Sequence, residues 1–550
     1  MTSEQPTMKH MRHFMAEMDL AEDEFEFYGK YTGKLRLNAL HNRRDQPDGK
    51  LILVTAITPT RAGEGKTLTC IALGQGLQAI GARPMITLRE PSLGPVFGMK
   101  GGATGSGRSQ LLPMARINLH FNGDLHAITS AHNLLAALVD NHLHHGNELG
   151  IDLTRPVWNR TVDMNERSLR NVVIGLGGHP NGIPRECNFI ITAASEIMAI
   201  MALAESRGDL KQRLGQIIVG FTRKDQPVRA GDLDVTNALA AVLNEAIMPN
   251  LVQTTEHVPA LVHTGPFGNI AHGTSSVIAN RLALKFADYV VTEAGFGADL
   301  GAEKFIDIVS PATGLTPAAV VIVATIRALK WHGGSTIEDF KRENLAALEA
   351  GTANLTRHID NMQAFGANVV VAINRFDGDH DTEIDWLKRW CRERGVACEV
   401  HTGHADGGAG AAALAEVVRQ AADQASTITP LYNHDMAPEE KIECIARNIY
   451  GADEVYFEAR ARTALERFKR LGFGNLPMCI AKTQSSLSDK PNLLGAPTGW
   501  TLTVTDMRLS AGAGFLIPVC GNMMLMPGLP VHPNALNVDV DEDGVISGMF

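Results

Sequence analysis

The apolar run Leu51–Ala56 passes directly into Ile57-Thr58-Pro59-Thr60-Arg61-Ala62-Gly63-Glu64-Gly65-Lys66-Thr67, and the small and aliphatic residues Leu68–Leu77 follow without a break. A strand that ends in a glycine-containing turn and opens a helix aims backbone N–H groups and the positive end of a helix dipole at one point, which suits an anion. The order strand, turn, Gly-Lys-Thr, helix therefore demands a βα unit and predicts a phosphate loop for a nucleoside triphosphate. In that loop Thr60, Arg61, Ala62, Gly63, Glu64 and Gly65 wrap the phosphates, Lys66 reaches the β/γ oxygens, and the Thr67 hydroxyl meets magnesium. The common spacing G-x-x-x-x-G-K-[ST] is not met in full, because Thr60 stands where its first glycine belongs and Gly63 is an extra one.

The chain has 550 residues, room for about three domains at roughly 100–200 residues each. Its 50 basic against 60 acidic residues exclude an electrostatic nucleic-acid binder, while leaving local sites for small anions open. Aromatics are scarce and aliphatics abundant, as expected where parallel strands are buried on both faces. Seven cysteines without a C-x-x-C pair fit a reducing compartment better than a disulfide framework. The N-terminus lacks the apolar core of a signal peptide, and the apolar stretch Pro317–Ile326 is far shorter than a membrane span. The expectation is a cytoplasmic protein with no membrane and no nucleic-acid partner.

Residues 9–27 read as an acidic amphipathic helix. From there to about residue 350, apolar runs at Leu51–Ala56, Pro84–Thr87, Val172–Gly175, Gln216–Gly220, Tyr289–Thr292 and Ala319–Ala324 alternate with helical stretches. This predicts an α/β fold with βαβ units and a mostly parallel sheet. A second α/β region has strands at Asn368–Ile373, Ala397–Val400 and Met478–Ala481, with helices at 382–394, 411–424 and 437–450. Short β-like runs at Thr501–Thr505 and Phe515–Val519 follow. The expected domains are residues 1–360, a P-loop nucleotide-binding unit; 361–500, a second α/β domain; and 501–550, a small β-rich unit.

Two more Gly-rich loops follow strands. The segment Leu88-Arg89-Glu90-Pro91 to Gly105 places Arg89 at a strand's end, where it can make bidentate contact with a transferring phosphoryl group. The segment Glu293-Ala294-Gly295-Phe296-Gly297 displays Phe296 from a tight backbone, as a ligand wall or as core packing. A polar loop, Asn269–Ser276, is open to two readings, nucleotide contact or helix cap. The histidines at 120, 126, 132, 142, 144 and 145 lack the spacing of a metal site.

TPTRAGEGKT, REPSLGPVFGMKGGA, INLHFNGDLHAI, GPFGNIAHG, VVTEAGFGADLGAEKF, VVVAINRF and LGFGNLPMCIAKTQSSLSD occur in this order. Together they resemble the formate–tetrahydrofolate ligases, also called formyltetrahydrofolate synthetases, over nearly the whole chain. The resemblance implies ATP-dependent joining of formate to N10 of tetrahydrofolate through formyl phosphate. It further implies Lys66 on the phosphates, Arg89 with its neighbour Glu90 and Phe296 at the formate and formyl phosphate site, and Phe376 stacking on the pterin. A homotetramer activated by potassium or ammonium is also implied.

Departures from the family's pattern are Arg61 for a proline, Arg108 for a common tyrosine, and His404 in His404-Ala405-Asp406-Gly407-Gly408 for the tryptophan of W-A-K-G-G. His404, or alternatively His401, then forms the other wall of the pterin slot, with less stacking surface than indole. Two other functions remain open at this point: another P-loop carboxylate–amine ligase, and a folate- or nucleotide-binding protein without turnover.

Overall fold

The computed structural model describes residues 7–155, 157–521 and 523–549. Twelve strands form its main sheet: β1 (Phe25–Phe27), β2 (Gly33–Leu35), β3 (Lys50–Ala56), β4 (Pro84–Leu88), β5 (Gly105–Ser106), β6 (Ser109–Leu112), β7 (Asn250–Thr254), β8 (Pro259–Val262), β9 (Tyr289–Glu293), β10 (Ala319–Ala324), β11 (Val369–Asn374) and β12 (Ala397–His401). The order across the sheet is β1-β2-β7-β8-β4-β9-β3-β10-β11-β12, with β6 beside β7 and β5 beside β6. Every pair from β8 through β12 is parallel. The β1, β2, β6 and β7 pairings form an antiparallel margin.

Period-two alternation splits β3 between two cores. Ile52, Val54 and Ala56 pack with Cys70, Ile71, Leu73, Val321, Val370 and Leu414 on one face, while Leu51 and Leu53 join the larger cluster containing Leu355 and Ile359 on the other. Both faces are covered, so the strand reads as one apolar run rather than an alternating one. Helix α1 (Lys66–Ala79) buries every residue from Leu68 to Leu77, each large aliphatic contributing about 1.5–3 kcal/mol.

Several expectations change. Residues 9–27 are helical only over Met11–Glu17, followed by a 3₁₀ turn at Glu22–Glu24 and strand β1. Phe25-Glu26-Phe27 pairs with β2 across a tight turn, and that pairing overrides the helical period. The runs at 172–175 and 216–220 do form strands, but outside the main sheet, in local hairpins with Arg185–Cys187 and Pro227–Arg229. Met478–Ala481 is no strand: it makes isolated bridges at Met478 and Ala481 to the long hairpin Thr501–Ser510/Phe515–Cys520. Glu454–Phe457 lies parallel to the first arm of that hairpin. Among the described residues, no helix is long and apolar enough to cross a membrane.

Candidate active site

The parallel strands deliver their C-terminal loops to one edge, the place where open α/β sheets bind ligands. In sheet order this edge carries the 263–276 loop after β8, Arg89 after β4, Glu293 and Phe296 at and beyond the end of β9, and the Gly-rich loop 57–65 after β3. Beyond it come Thr325 and Arg327 after β10, Phe376 after β11 and His404 after β12. Adjacent strands lie about 4.8 Å apart, so Arg89 and Phe376 leave strands about 10 Å to either side of β3.

In the Gly-rich loop after β3 Gly63 and Gly65 both take a left-handed φ of 73°, a conformation that glycine adopts without steric penalty. The missing first glycine has a local explanation. Glu64 is buried and turned inward, and its Oε1 accepts from both the Thr60 N–H at 2.8 Å and the Thr60 hydroxyl at 2.9 Å. Its Oε2 accepts from the Thr325 hydroxyl. Thr60 and Glu64 thus close the loop by side-chain bonds, whereas Arg61 and Ala62 are exposed at its crown.

Lys66 opens α1. Burial lowers its pKa to about 8, with Arg89 and Lys100 adding to the effect and Glu293 opposing it. The Thr67 hydroxyl donates to Glu293 Oε2 at 2.8 Å, and Arg89 Nη2 stands 3.5 Å from Glu293 Oε1. Burial alone pushes the Glu293 carboxyl up. The cations Arg89 and Lys100, the Thr67 hydrogen bond and Lys66 outweigh it, and the net pKa is lowered. Lys100 is exposed, and its pKa is lowered by desolvation and by the neighbouring Arg89 charge. Arg89 thus pairs with an ionised Glu293 carboxylate that Lys66 and Lys100 also stabilise through their charge. No sequence motif gives Lys100 or Arg327 a role, and Glu293 is marked in the sequence only as an acidic residue that closes an apolar strand.

Arg89 Nη1 donates to the Pro266 carbonyl at 3.2 Å, and its Nε is buried without a partner. The adjoining loop holds further unpartnered buried atoms, Asn269 Oδ1 and both ring nitrogens of His272. Each such atom costs about 1–3 kcal/mol unless something bonds to it, so this group marks a place for a polar ligand. Burial, together with Lys304 and Arg89, pushes the His272 pKa down to about 3, and the ring stays neutral. Ser276 at the end of this loop caps α2 (Val277–Phe286) by accepting from the Ala279 N–H at 2.9 Å.

Phe296 is half-buried with φ at 61°, uncommon for an aromatic residue and typical of strain kept at a functional site. Gly268 admits its ring: a Cβ there would lie 3.2 Å from Phe296 Cδ2. Glu90 has a different setting from Arg89. Its carboxyl is buried near Asp124, Lys34 and Asp163, and burial, reinforced by Asp124, raises its pKa well above the usual carboxylate range.

Phe376 is half-buried, with the Arg327 guanidinium 3.7 Å from the centre of its ring. His404 lies exposed on the short helix Gly403–Asp406, its carbonyl accepting from the Arg108 N–H at 2.9 Å. His401 is not free to stack. It is 1% exposed, its Nε2 is 3.0 Å from the Thr69 hydroxyl, and burial lowers its pKa to about 4. Of the clustered histidines, His132 is buried and bonded to Ser195 and Asn159. Among the described residues no group of three His, Cys, Asp or Glu side chains is placed to hold a metal.

The formate–tetrahydrofolate ligase family model matches residues 1–550. A curated relative from Symbiobacterium thermophilum, named formate–tetrahydrofolate ligase, is 54% identical over 535 residues, covering 97% of this chain and 96% of that protein. An identity this high over nearly the full length of both chains, together with the family match, places this chain in the formate–tetrahydrofolate ligase family.

Proposed function

We propose that this protein joins formate to N10 of tetrahydrofolate, converting ATP to ADP and phosphate, and that formyl phosphate is the intermediate. Formate is a carboxylate whose negative charge, shared by its two oxygens, leaves its carbon too poor an electrophile for an amine to attack directly. A formate oxygen first attacks the γ-phosphorus and ADP leaves. N10 then attacks the formyl carbon, phosphate departs and the N10 proton is lost, giving 10-formyltetrahydrofolate. Family membership supports the overall reaction.

One arrangement carries the site assignment: Arg89 stands 3.5 Å from Glu293 Oε1, Thr67 bonds its Oε2, and Lys66 and Lys100 act on the same carboxylate through their charge. Such fixed cations stabilise charge on a phosphoryl group in transfer without reorganising. The loop N–H groups and Lys66 bind the ATP phosphates, and Arg89 with the open ring N–H of the neutral His272 receives formate and then formyl phosphate. Thr67 and Glu293 supply hard oxygen donors, the set that suits magnesium, which when bound neutralises phosphate charge. Phe296 walls the formate pocket. Phe376 and His404, on adjacent strand ends, flank the pterin. A P-loop NTPase-like nucleotide domain, a homotetramer, activation by potassium or ammonium and a cytoplasmic location complete this reading.

Formate-dependent ADP release with tetrahydrofolate tests it. Lys66→Ala and Arg89→Ala are each expected to lower kcat/KM by about 10²–10³-fold. Full activity in both overturns the site assignment.

A further inference from the structure

Arg327 lies between the phosphate loop and the aromatic side chain after β11. It sits on the first turn of α3 (Ile326–His332), which Thr325 caps by accepting from the Ala328 N–H at 3.1 Å. One guanidinium nitrogen, Nη2, donates to the Gly63 carbonyl, while the guanidinium plane covers one face of Phe376 at 3.7 Å. Its Nε is buried without a partner. Two neighbours repeat the connection: Asn374 Nδ2 donates to the Glu64 carbonyl at 3.0 Å, and the Thr325 hydroxyl donates to Glu64 Oε2.

A phosphate loop works when its N–H groups face the anion, so its carbonyls must face outward. Arg327 and Asn374 take two successive outward carbonyls, those of Gly63 and Glu64. The same Arg327 side chain decides which face of Phe376 is free, because the other face is already occupied.

We propose that Arg327 is a positioning residue that couples nucleotide binding to folate binding; the inference rests on the reading of Phe376 as a pterin wall. Phosphates drawn onto the N–H side of Gly63 and Gly65 fix the Gly63 carbonyl against Nη2. The guanidinium is then held flat on Phe376, and the opposite ring face is presented in one orientation to the pterin. ATP thereby tightens tetrahydrofolate, and by linkage tetrahydrofolate tightens ATP by the same factor.

Calorimetric titration of the full-length protein without formate measures this coupling. Tetrahydrofolate is titrated with and without saturating Mg-ATP, and Mg-ATP with and without tetrahydrofolate. In the wild type each ligand is expected to tighten the other about fivefold or more, and in Arg327→Met less than about twofold. Arg327→Lys keeps the charge near Gly63 but loses the planar stack, so its coupling also falls; it serves as the reporter if Arg327→Met does not fold. A purely structural role for Arg327 would weaken both ligands and leave their coupling factor intact. Wild-type binding of both ligands with no mutual effect, or unchanged coupling in the variants, overturns the inference. Unaltered tetrahydrofolate binding in Phe376→Ala instead overturns the folate-wall assignment, and with it the basis for the coupling.

Discussion

On the proposal that Lys66 meets the ATP phosphates, its own titration reports on that contact. Its pKa in the free protein is about 8, and phosphate binding favours the ammonium form. Below that pH the amine is already charged and ATP affinity is flat. Above it, binding must first take up a proton, so the Kd for Mg-ATP rises up to about tenfold per pH unit until the pKa of the bound state is reached. Titrations from about pH 6.5 to 9.5 should show the bend near 8, and Lys66→Arg, which stays charged, should show none. At the other end of the site, His404 is exposed with an imidazole where indole would offer a larger face. His404→Trp is expected to tighten tetrahydrofolate about 3–10-fold, from the roughly 0.5–1.5 kcal/mol of an added aromatic contact. No gain in a fluorescence titration removes His404 from the slot.

At the scale of elements, the two loop glycines share one φ of 73° but not one environment. A Cβ on Gly65 would lie 2.3 Å from Asn374 Nδ2, whereas one on Gly63 meets nothing within 4 Å. Gly63→Ala should therefore lower stability by only about 1–2 kcal/mol, the left-handed penalty of an L-residue. Gly65→Ala must also displace Asn374 from the Glu64 carbonyl and should greatly weaken ATP binding. Thermal melts and ATP titrations of the two variants separate these effects. The strand, loop and helix around these glycines were legible because every residue in them reads locally: an apolar run, a Gly-Lys-Thr turn, a buried helix. The runs at 172–175 and 216–220 carry the same local signature, yet they pair with their own neighbours. β-propensity says that a segment is extended; it does not say which strand it joins.

At the scale of the whole molecule, Asp307 ties distant segments together. Its Oδ1 accepts from the Leu431 N–H at 2.7 Å and its Oδ2 is buried without a partner. Burial raises its pKa to about 7, against about 3.9 for an unfolded aspartate. The buried Glu303 carboxyl that acts on it is raised as well, so the two titrate as a pair. The folded state holds this proton more tightly, so the contribution to stability is fully present below about pH 4 and is lost as pH rises towards 7. Asp307→Asn keeps the acceptor and removes the charge. It is expected to melt above the wild type at about pH 8 and to show a shallower decline between about pH 4 and 7. A variant melting below the wild type at pH 8 would count against a buried charge at this position.

From the sequence alone followed the strand, Gly-rich turn and helix at Leu51–Leu77, the largely parallel α/β architecture, the positions of Arg89, Phe296 and Phe376 at strand ends, and the family. Each rests on residues adjacent in the chain or on strings long enough to identify a relative. Tertiary structure alone decided that Glu293 would meet Thr67, 226 residues away. It also placed the His401 side chain against α1 rather than beside the site, gave Glu90 a buried setting apart from Arg89, and brought Arg327 to touch both Gly63 and Phe376. These outcomes depend on strand order across the sheet, and strand order is set by the burial of both faces at once, a property of the assembled core rather than of any one segment.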